Sequence, residues 1–298
     1  MKYSYETEFS SVSDKAIHLD FLEKYLPAGD SIYVNPVTGF VTSSRSMSAE
    51  NVAKYWSDII FPNKSEESYS AYNPFAQARL FYVMQSIAKF LNFNQETNLH
   101  ICDFATGEGV LLNLLRNNYP KLKVSGTEHS SELVQTHKSN GFDVFIKTLG
   151  IQSSMFNKEQ FDISTLTWTL ANAIDPLACL RDVVQATKTG GYVCVAESSR
   201  IMVPFRKSLS DYFSKTSPAD LHPSNFSMNT LKLLMQLSGL EVVFVNRYFD
   251  SDVLLVIGKK VDHQVEPKFF DDQKQVVDFM KEWALASEFF ERLRSHSQ

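Results

Sequence analysis

Residues 103–112 read DFATGEGVLL: an acid, glycines at 107 and 109, then a run of leucines. Asp103 closes a short apolar run and the leucines open a helical one, so the glycines fall where a strand turns into a helix. Gly107 and Gly109 permit backbone conformations, and an approach to a ligand, that a Cβ would obstruct. The same glycines would also serve a plain strand-to-helix turn. A phosphate loop is excluded, because no Gly-Lys-Ser/Thr is present there. A dinucleotide fingerprint is incomplete, because its third glycine would fall on Leu112. Asp103 also puts negative charge where a diphosphate would lie. A ligand with a cationic part and no phosphate suits this loop better. Glu128 stands 21 residues after Gly107, at the end of KVSGTE. A carboxylate there can accept two hydrogen bonds from a ribose diol.

These residues need a frame that holds them at one edge. From about residue 99, short apolar strands alternate with helical runs, which predicts a parallel sheet covered on both faces. In such sheets ligands sit beyond the carboxyl ends of the strands, where Asp103 and Glu128 lie. DPLACLRDVVQATK is expected to be a helix ending at Gly190-Gly191, followed by the strand YVCVAES. SMNTLKLLMQLSG is a helix with Ser227 as N-cap and Gly239 past its end. The last two β-rich runs, within 240–260, leave no room for a crossover helix and must pair antiparallel. Upstream, SIYVNPVTGFVTS reads as a hairpin, residues 48–60 as a helix, and a second helix begins near Pro74. The segment from 271 to 295 is a charged amphipathic helix, expected to pack on the domain.

Composition narrows the classes. The 298 residues carry a net charge of −5 and are 44% hydrophobic, which allows a large core and argues against a nucleic-acid binder. Cys102, Cys179 and Cys194 are far apart and form no CxxC pair, so buried reduced thiols are expected rather than a zinc site. No run reaches the ~18 apolar residues of a membrane span, and the N-terminus lacks the apolar core of a signal peptide. A cytoplasmic protein without membrane or nucleic-acid partners is expected.

Taken together, the chain resembles the class I S-adenosylmethionine-dependent methyltransferases. Their first motif, acid-x-Gly-x-Gly-x-Gly, is matched by Asp103 to Gly109 with Ala105 in place of the first glycine. Glu128 matches the ribose-binding acid, and the closing hairpin the antiparallel seventh strand. The resemblance covers about residues 75–260. It implies a Rossmann-like α/β fold of seven strands with S-adenosylmethionine as cofactor. It also implies that Asp103, Ala105, Thr106, Gly107, Gly109, Glu128 and His129 form the cofactor loop. Gly150 would border the adenine, Thr167 and Trp168 the reactive methyl, and Tyr72 and Arg79 would fold over from upstream. From the residues alone His100, His129 and His137 read as structural or exposed. A nicotinamide-dependent oxidoreductase is disfavoured by Leu112 and the hairpin.

The flanks resemble a narrower group, methyltransferases of sugar and surface-polysaccharide pathways, including sugar C-methyltransferases. Their zinc-bearing N-terminal hairpin is matched here without its cysteines, so a metal-free vestige is expected over 1–70, a methyltransferase domain over 71–262 and a helical extension over 263–298. Of that group's Tyr-x-Glu-His segment only His222 is kept; Ala219 and Leu221 replace the tyrosine and glutamate. Free imidazole titrates near ~6.5 and can act as a base at neutral pH. One base suits a hydroxyl or amine better than a carbon acceptor. The alternatives are that His222 packs beside the following helix, that a keto sugar is C-methylated, or that the protein is a silent cofactor-binding relative. The expected partner is a small molecule, such as a nucleotide sugar, bound by a monomer or homodimer without a catalytic metal.

Overall fold

The computed structural model describes residues 16–44, 74–149, 159–173, 175–198, 201–203, 207–213, 222–246 and 253–295. The chain begins with β1 (Ile17–His18), β2 (Ile32–Val34) and β3 (Val41–Ser43), then α1 (Pro74–Phe90) and β4 (His100–Phe104). Next come α2 (Val110–Asn118), β5 (Lys123–Glu128), α3 (Ser131–Ser139), β6 (Asp143–Ile146) and β7 (Phe161–Thr167). They are followed by α4 (Pro176–Ala186), β8 (Thr187–Glu197), α5 (Leu209–Tyr212), β9 (Ser224–Asn225) and α6 (Met228–Leu237). The chain closes with β10 (Leu240–Val245), β11 (Leu254–Lys260) and α7 (Gln273–Ser295). The helix expected over 48–60 lies outside the described residues.

Seven strands form one sheet in the order β10-β11-β8-β7-β4-β5-β6. The strands from β4 to β8 are parallel, and β11 runs antiparallel to both β8 and β10, as the short link between the last two β-rich runs requires. Side chains alternate between the faces. Ile101, Ile163, Cys194 and Ile257 pack with Leu80, Met84 and Ile87 of α1 and Leu111 and Leu115 of α2. Cys102, Leu166, Val193 and Val256 pack with Leu180 and Val183 of α4 and Leu231 and Leu234 of α6. All three cysteines are free and buried. Burying the thiols in apolar surroundings raises the pKa of each, which leaves them protonated and inert.

One boundary differs from the sequence reading. α4 stops at Ala186, not at the glycine pair, and β8 starts at Thr187. Thr187 is extended, and its hydroxyl bonds Val183 O at 2.8 Å and the Ser164 hydroxyl at 2.7 Å. That anchors it in the sheet beside β7. Gly190 and Gly191 lie instead in an irregular stretch of β8, because Phe161 pairs with Thr187 but Ile163 with Tyr192. A Cβ on Gly191 would meet Asp162 O at 2.7 Å, so the strands close there only around a glycine.

The end of α6 behaves as read. The Ser227 hydroxyl accepts from Thr230 N at 3.0 Å, the Thr230 hydroxyl accepts from Ser227 N at 2.9 Å, and Gly239 turns the chain at φ +85°. A second, four-stranded sheet runs β1-β2-β3-β9. In it the N-terminal hairpin pairs with residues just after His222: Val41 faces Asn225, Thr42 faces Ser224, and Ser43 N donates to Pro223 O at 2.9 Å. Leu22, Tyr25, Ile32 and Val34 share a core with Ile201, Leu209 and the α7 residues Val276, Met280 and Trp283. The Tyr25 hydroxyl donates to Ala284 O at 2.9 Å, so the two ends of the described chain are clasped together.

Candidate active site

The strand order reverses at β4, which lies between β5 and β7, and the glycine loop leaves β4 at that switch point. Thr106 N donates to Thr127 O at 2.8 Å, tying the loop to β5. Gly107 and Gly109 take φ of 54° and 72°, the left-handed region that glycine enters without penalty. Ala105, where the motif has its first glycine, takes φ 53°, and its N–H donates to the Thr127 hydroxyl at 3.2 Å. The loop therefore keeps a glycine conformation on an alanine. A left-handed L-residue costs about 1–2 kcal/mol, and added unfolded-state freedom takes back part of what a glycine would recover. Ala105→Gly is therefore expected to raise the thermal midpoint by about 1–2 °C without weakening cofactor binding. A fall in the midpoint would show that the Ala105 methyl packs more usefully than its backbone is strained.

Leu112, where a dinucleotide fold would carry glycine, is fully buried. The close helix–strand approach is kept by the strand instead. A Cβ on Gly126 would stand 3.2 Å from Leu112 Cδ1 and 3.3 Å from Thr106 Cγ2.

Two carboxylates are buried behind the loop. Asp103 accepts from the Thr165 hydroxyl at 2.6 Å. Burial pushes its pKa up to about 6; the hydrogen bond from Thr165 opposes this, and the nearby Glu128 charge adds to it. Glu128 Oε1 accepts from His129 N at 2.8 Å and Ser130 N at 3.1 Å, and pairs with His129 Nδ1 at 2.7 Å. Oε2 accepts from Gly107 N at 2.9 Å. Burial alone would raise the Glu128 pKa, but the bonds from His129, Ser130 and Gly107 outweigh it and hold the group below its ordinary value. Oε1 is crowded with donors, and Oε2 keeps lone-pair capacity for a ligand hydroxyl.

Of the two readings of His137, structural or exposed, the structure shows the structural one. The side chain is fully buried on α3, and its Nε2 lies 2.8 Å from Gly107 O, so its ring holds the glycine loop from behind. Burial lowers its pKa, which keeps it neutral. Sequence spacing carried no signal for this contact. His100 is part-buried and bonds the Ser125 hydroxyl at 2.8 Å, at the opposite end of β4.

A second group gathers past β7. Trp168 has φ 53°, and its Nε1–H is buried with no acceptor among the described residues. The Arg79 guanidinium of α1 sits 5.0 Å from the Trp168 ring centroid. After Trp168 the chain makes a 3-10 turn over Leu170–Asn172. Asn172 Nδ2 donates to Trp168 O at 3.2 Å, and Asn172 Oδ1 lies 2.9 Å from His222 Nδ1. Glu197, at the end of β8, holds this turn: Oε1 accepts from Thr169 N at 2.9 Å and Leu170 N at 2.7 Å. Its burial is complete and raises its pKa to about 8. Glu197 went unread in the sequence although the rule that picked out Asp103 and Glu128, an acid closing a strand, applies to it too. Thr167 pairs with Ala196 at the end of β7. Tyr72 and Gly150 lie outside the described residues. Among the described residues no group of three or more His, Cys, Asp or Glu side chains is placed to hold a metal ion.

An acid-lined glycine loop at a switch point of a seven-stranded sheet with an antiparallel β11 fits S-adenosylmethionine, a cationic cofactor without phosphate. The sequence profile of a family described as a methyltransferase domain matches residues 76–245, and the chain belongs to that family. The ubiquinone/menaquinone biosynthesis C-methyltransferase UbiE of Bdellovibrio bacteriovorus is 24% identical over 119 residues, 39% of this chain and 51% of that protein. The match thus spans about half of that relative's length. UbiE of Burkholderia cenocepacia is 25% identical over 191 residues, 56% of this chain and 77% of that protein. Among solved structures, a SAM-dependent methyltransferase from Thermotoga maritima superposes with a TM-score of 0.52 at 17% identity, over 70% of this chain and 99% of that one. The CurJ carbon methyltransferase does so with a TM-score of 0.54 at 13% identity, over 68% and 60%. At these identities the structural likeness speaks for the fold alone. Among the described residues no helix is long and apolar enough to cross a membrane.

Proposed function

We propose that this protein transfers a methyl group to a small acceptor bound beside Trp168, with His222 taking the acceptor's proton. The observation that carries this reading is the 2.9 Å contact of His222 Nδ1 with Asn172 Oδ1, on the turn that follows Trp168. S-adenosylmethionine supplies, when bound, an electrophilic methyl group on a good leaving group. The chain must then orient the acceptor and remove its proton. In this reading the backbone of Ala105, Thr106, Gly107 and Gly109 cradles the cofactor, and Glu128 Oε2 accepts from its ribose. Asp103 sets the loop and contributes negative charge, with His129 holding Glu128. Thr167, Trp168 and Arg79 line the methyl end, and Tyr72 and Gly150 complete the cofactor's surroundings. The N-terminal hairpin, paired through β3 with β9 just after His222, borders the acceptor side of the 71–262 domain in this reading, and the extension beyond 262 packs against that hairpin.

A single base favours a hydroxyl or amine acceptor, and we place a sugar or nucleotide sugar first. A carbon acceptor is the second reading, favoured by the two UbiE relatives, which are described as C-methyltransferases. The test is calorimetry with S-adenosylmethionine, then a panel of nucleotide sugars and demethylated quinols with S-adenosylhomocysteine release as the readout. Binding of the cofactor is expected, with turnover of one panel member. His222→Gln should lower that turnover by roughly 10²–10⁴-fold while cofactor affinity holds. A folded protein that does not bind the cofactor would overturn the proposal.

A further inference from the structure

Asn172 makes two contacts of different polarity, and together they dictate a proton position. A side-chain amide is an acceptor at its oxygen and a donor at its nitrogen. Which way it points follows from its partners. Trp168 O can only accept, so the amide nitrogen must face it, as the 3.2 Å Nδ2 contact shows. The Asn172 oxygen is thereby turned to His222 Nδ1, at 2.9 Å. That oxygen can only accept, so Nδ1 carries the hydrogen. In a neutral imidazole the other nitrogen, Nε2, then holds the lone pair.

The pair is braced on both sides. Asn172 ends a 3-10 turn in which its own N–H donates to Thr169 O at 3.0 Å. The N–H groups of Thr169 and Leu170 are clamped by Glu197 Oε1. On the other side Pro223 O accepts from Ser43 N at 2.9 Å, and β9 pairs with β3, which fixes the backbone next to His222. The amide therefore cannot turn over without losing Trp168 O, and the histidine backbone cannot drift from the amide without breaking the small sheet.

We infer that Asn172 is a positioning residue that selects the Nδ1–H tautomer of His222 and so makes Nε2 its proton-accepting nitrogen. The inference rests on the reading of His222 as the base for its catalytic meaning, but the tautomer is measurable without any acceptor. The experiment is long-range proton–nitrogen NMR of the full chain labelled with ¹⁵N-histidine, above the pH at which the ring is neutral. The His222 signals are assigned by their loss in His222→Gln. Wild type is expected to show Nδ1 protonated and Nε2 unprotonated. In Asn172→Ala the ring should move toward the Nε2–H form that free histidine side chains prefer, whereas Asn172→Asp, which keeps an oxygen acceptor, should retain Nδ1–H. An Nε2-protonated His222 in the wild type overturns the inference whether or not an Asn172 variant folds, and an unchanged tautomer in a folded Asn172→Ala does so too. Cofactor affinity by calorimetry should hold in Asn172→Ala. Once an acceptor is known, its kcat should fall roughly 10²-fold or more with little change in KM. If the tautomer is as stated but His222→Gln turns over normally, the base assignment fails and the Asn172 contact stands.

Discussion

Glu197→Gln is expected to stabilise this protein above neutral pH and to flatten its stability–pH curve. Glu197 is completely buried, and desolvation raises its pKa to about 8, with the surrounding backbone amides offsetting this only in part. Its Oε2 is buried with no hydrogen-bond partner among the described residues. That environment suits a neutral group. Because the folded-state pKa is raised, the neutral carboxyl's contribution is complete below the unfolded value of 4.5 and is lost as pH rises through about 8. At pH 7 the loss is on the order of 3 kcal/mol relative to a group that does not titrate. Glutamine keeps the oxygen that accepts from Thr169 and Leu170 and carries no charge at any of these pH values. Thermal midpoints of wild type and Glu197→Gln between pH 5 and 9 check this: the wild-type curve should fall relative to the variant as pH rises. Parallel curves would mean that Glu197 is ionised comfortably in the fold. Glu197→Ala should instead lose stability throughout, because two N–H groups of the turn lose their acceptor and a cavity is left.

The second large effect is expected at Gly107. Its φ of 54° is unfavourable for a β-branched residue. Two buried side chains also depend on its backbone, since Glu128 accepts its N–H and His137 meets its carbonyl. Gly107→Val should swing the loop toward negative φ and release both contacts at once. Cofactor affinity, measured by calorimetry on folded protein, should fall at least roughly tenfold, the equivalent of about 1.4 kcal/mol. Unchanged affinity in a folded variant would remove the loop from the cofactor site.

Much of this frame was legible in the residues. The alternation of apolar strands and helices gave the parallel sheet, and the short link between the last β-rich runs left only an antiparallel pairing for β11. Glu128 stands at the end of β5, and Asp103, one residue before the end of β4, precedes the glycines of the loop; that order along the chain made them legible. The boundary between α4 and β8 was misread because a glycine pair is a common helix stop, while a contact from Thr187 to Ser164, distant in sequence, ended the helix earlier.

Local order, charge and period sufficed to determine the sheet, the loop that turns at its switch point, and the sign of the charge that loop presents, since each depends on neighbours along the chain. Only the tertiary structure decided what stands around that loop. It brought His137 under Gly107, Thr165 onto Asp103, Arg79 over Trp168, and Asn172 between Trp168 and His222, 50 positions further on. These are single contacts between residues far apart in sequence. No periodicity encodes them, and they exist only once the sheet and the small N-terminal sheet have set their partners in place.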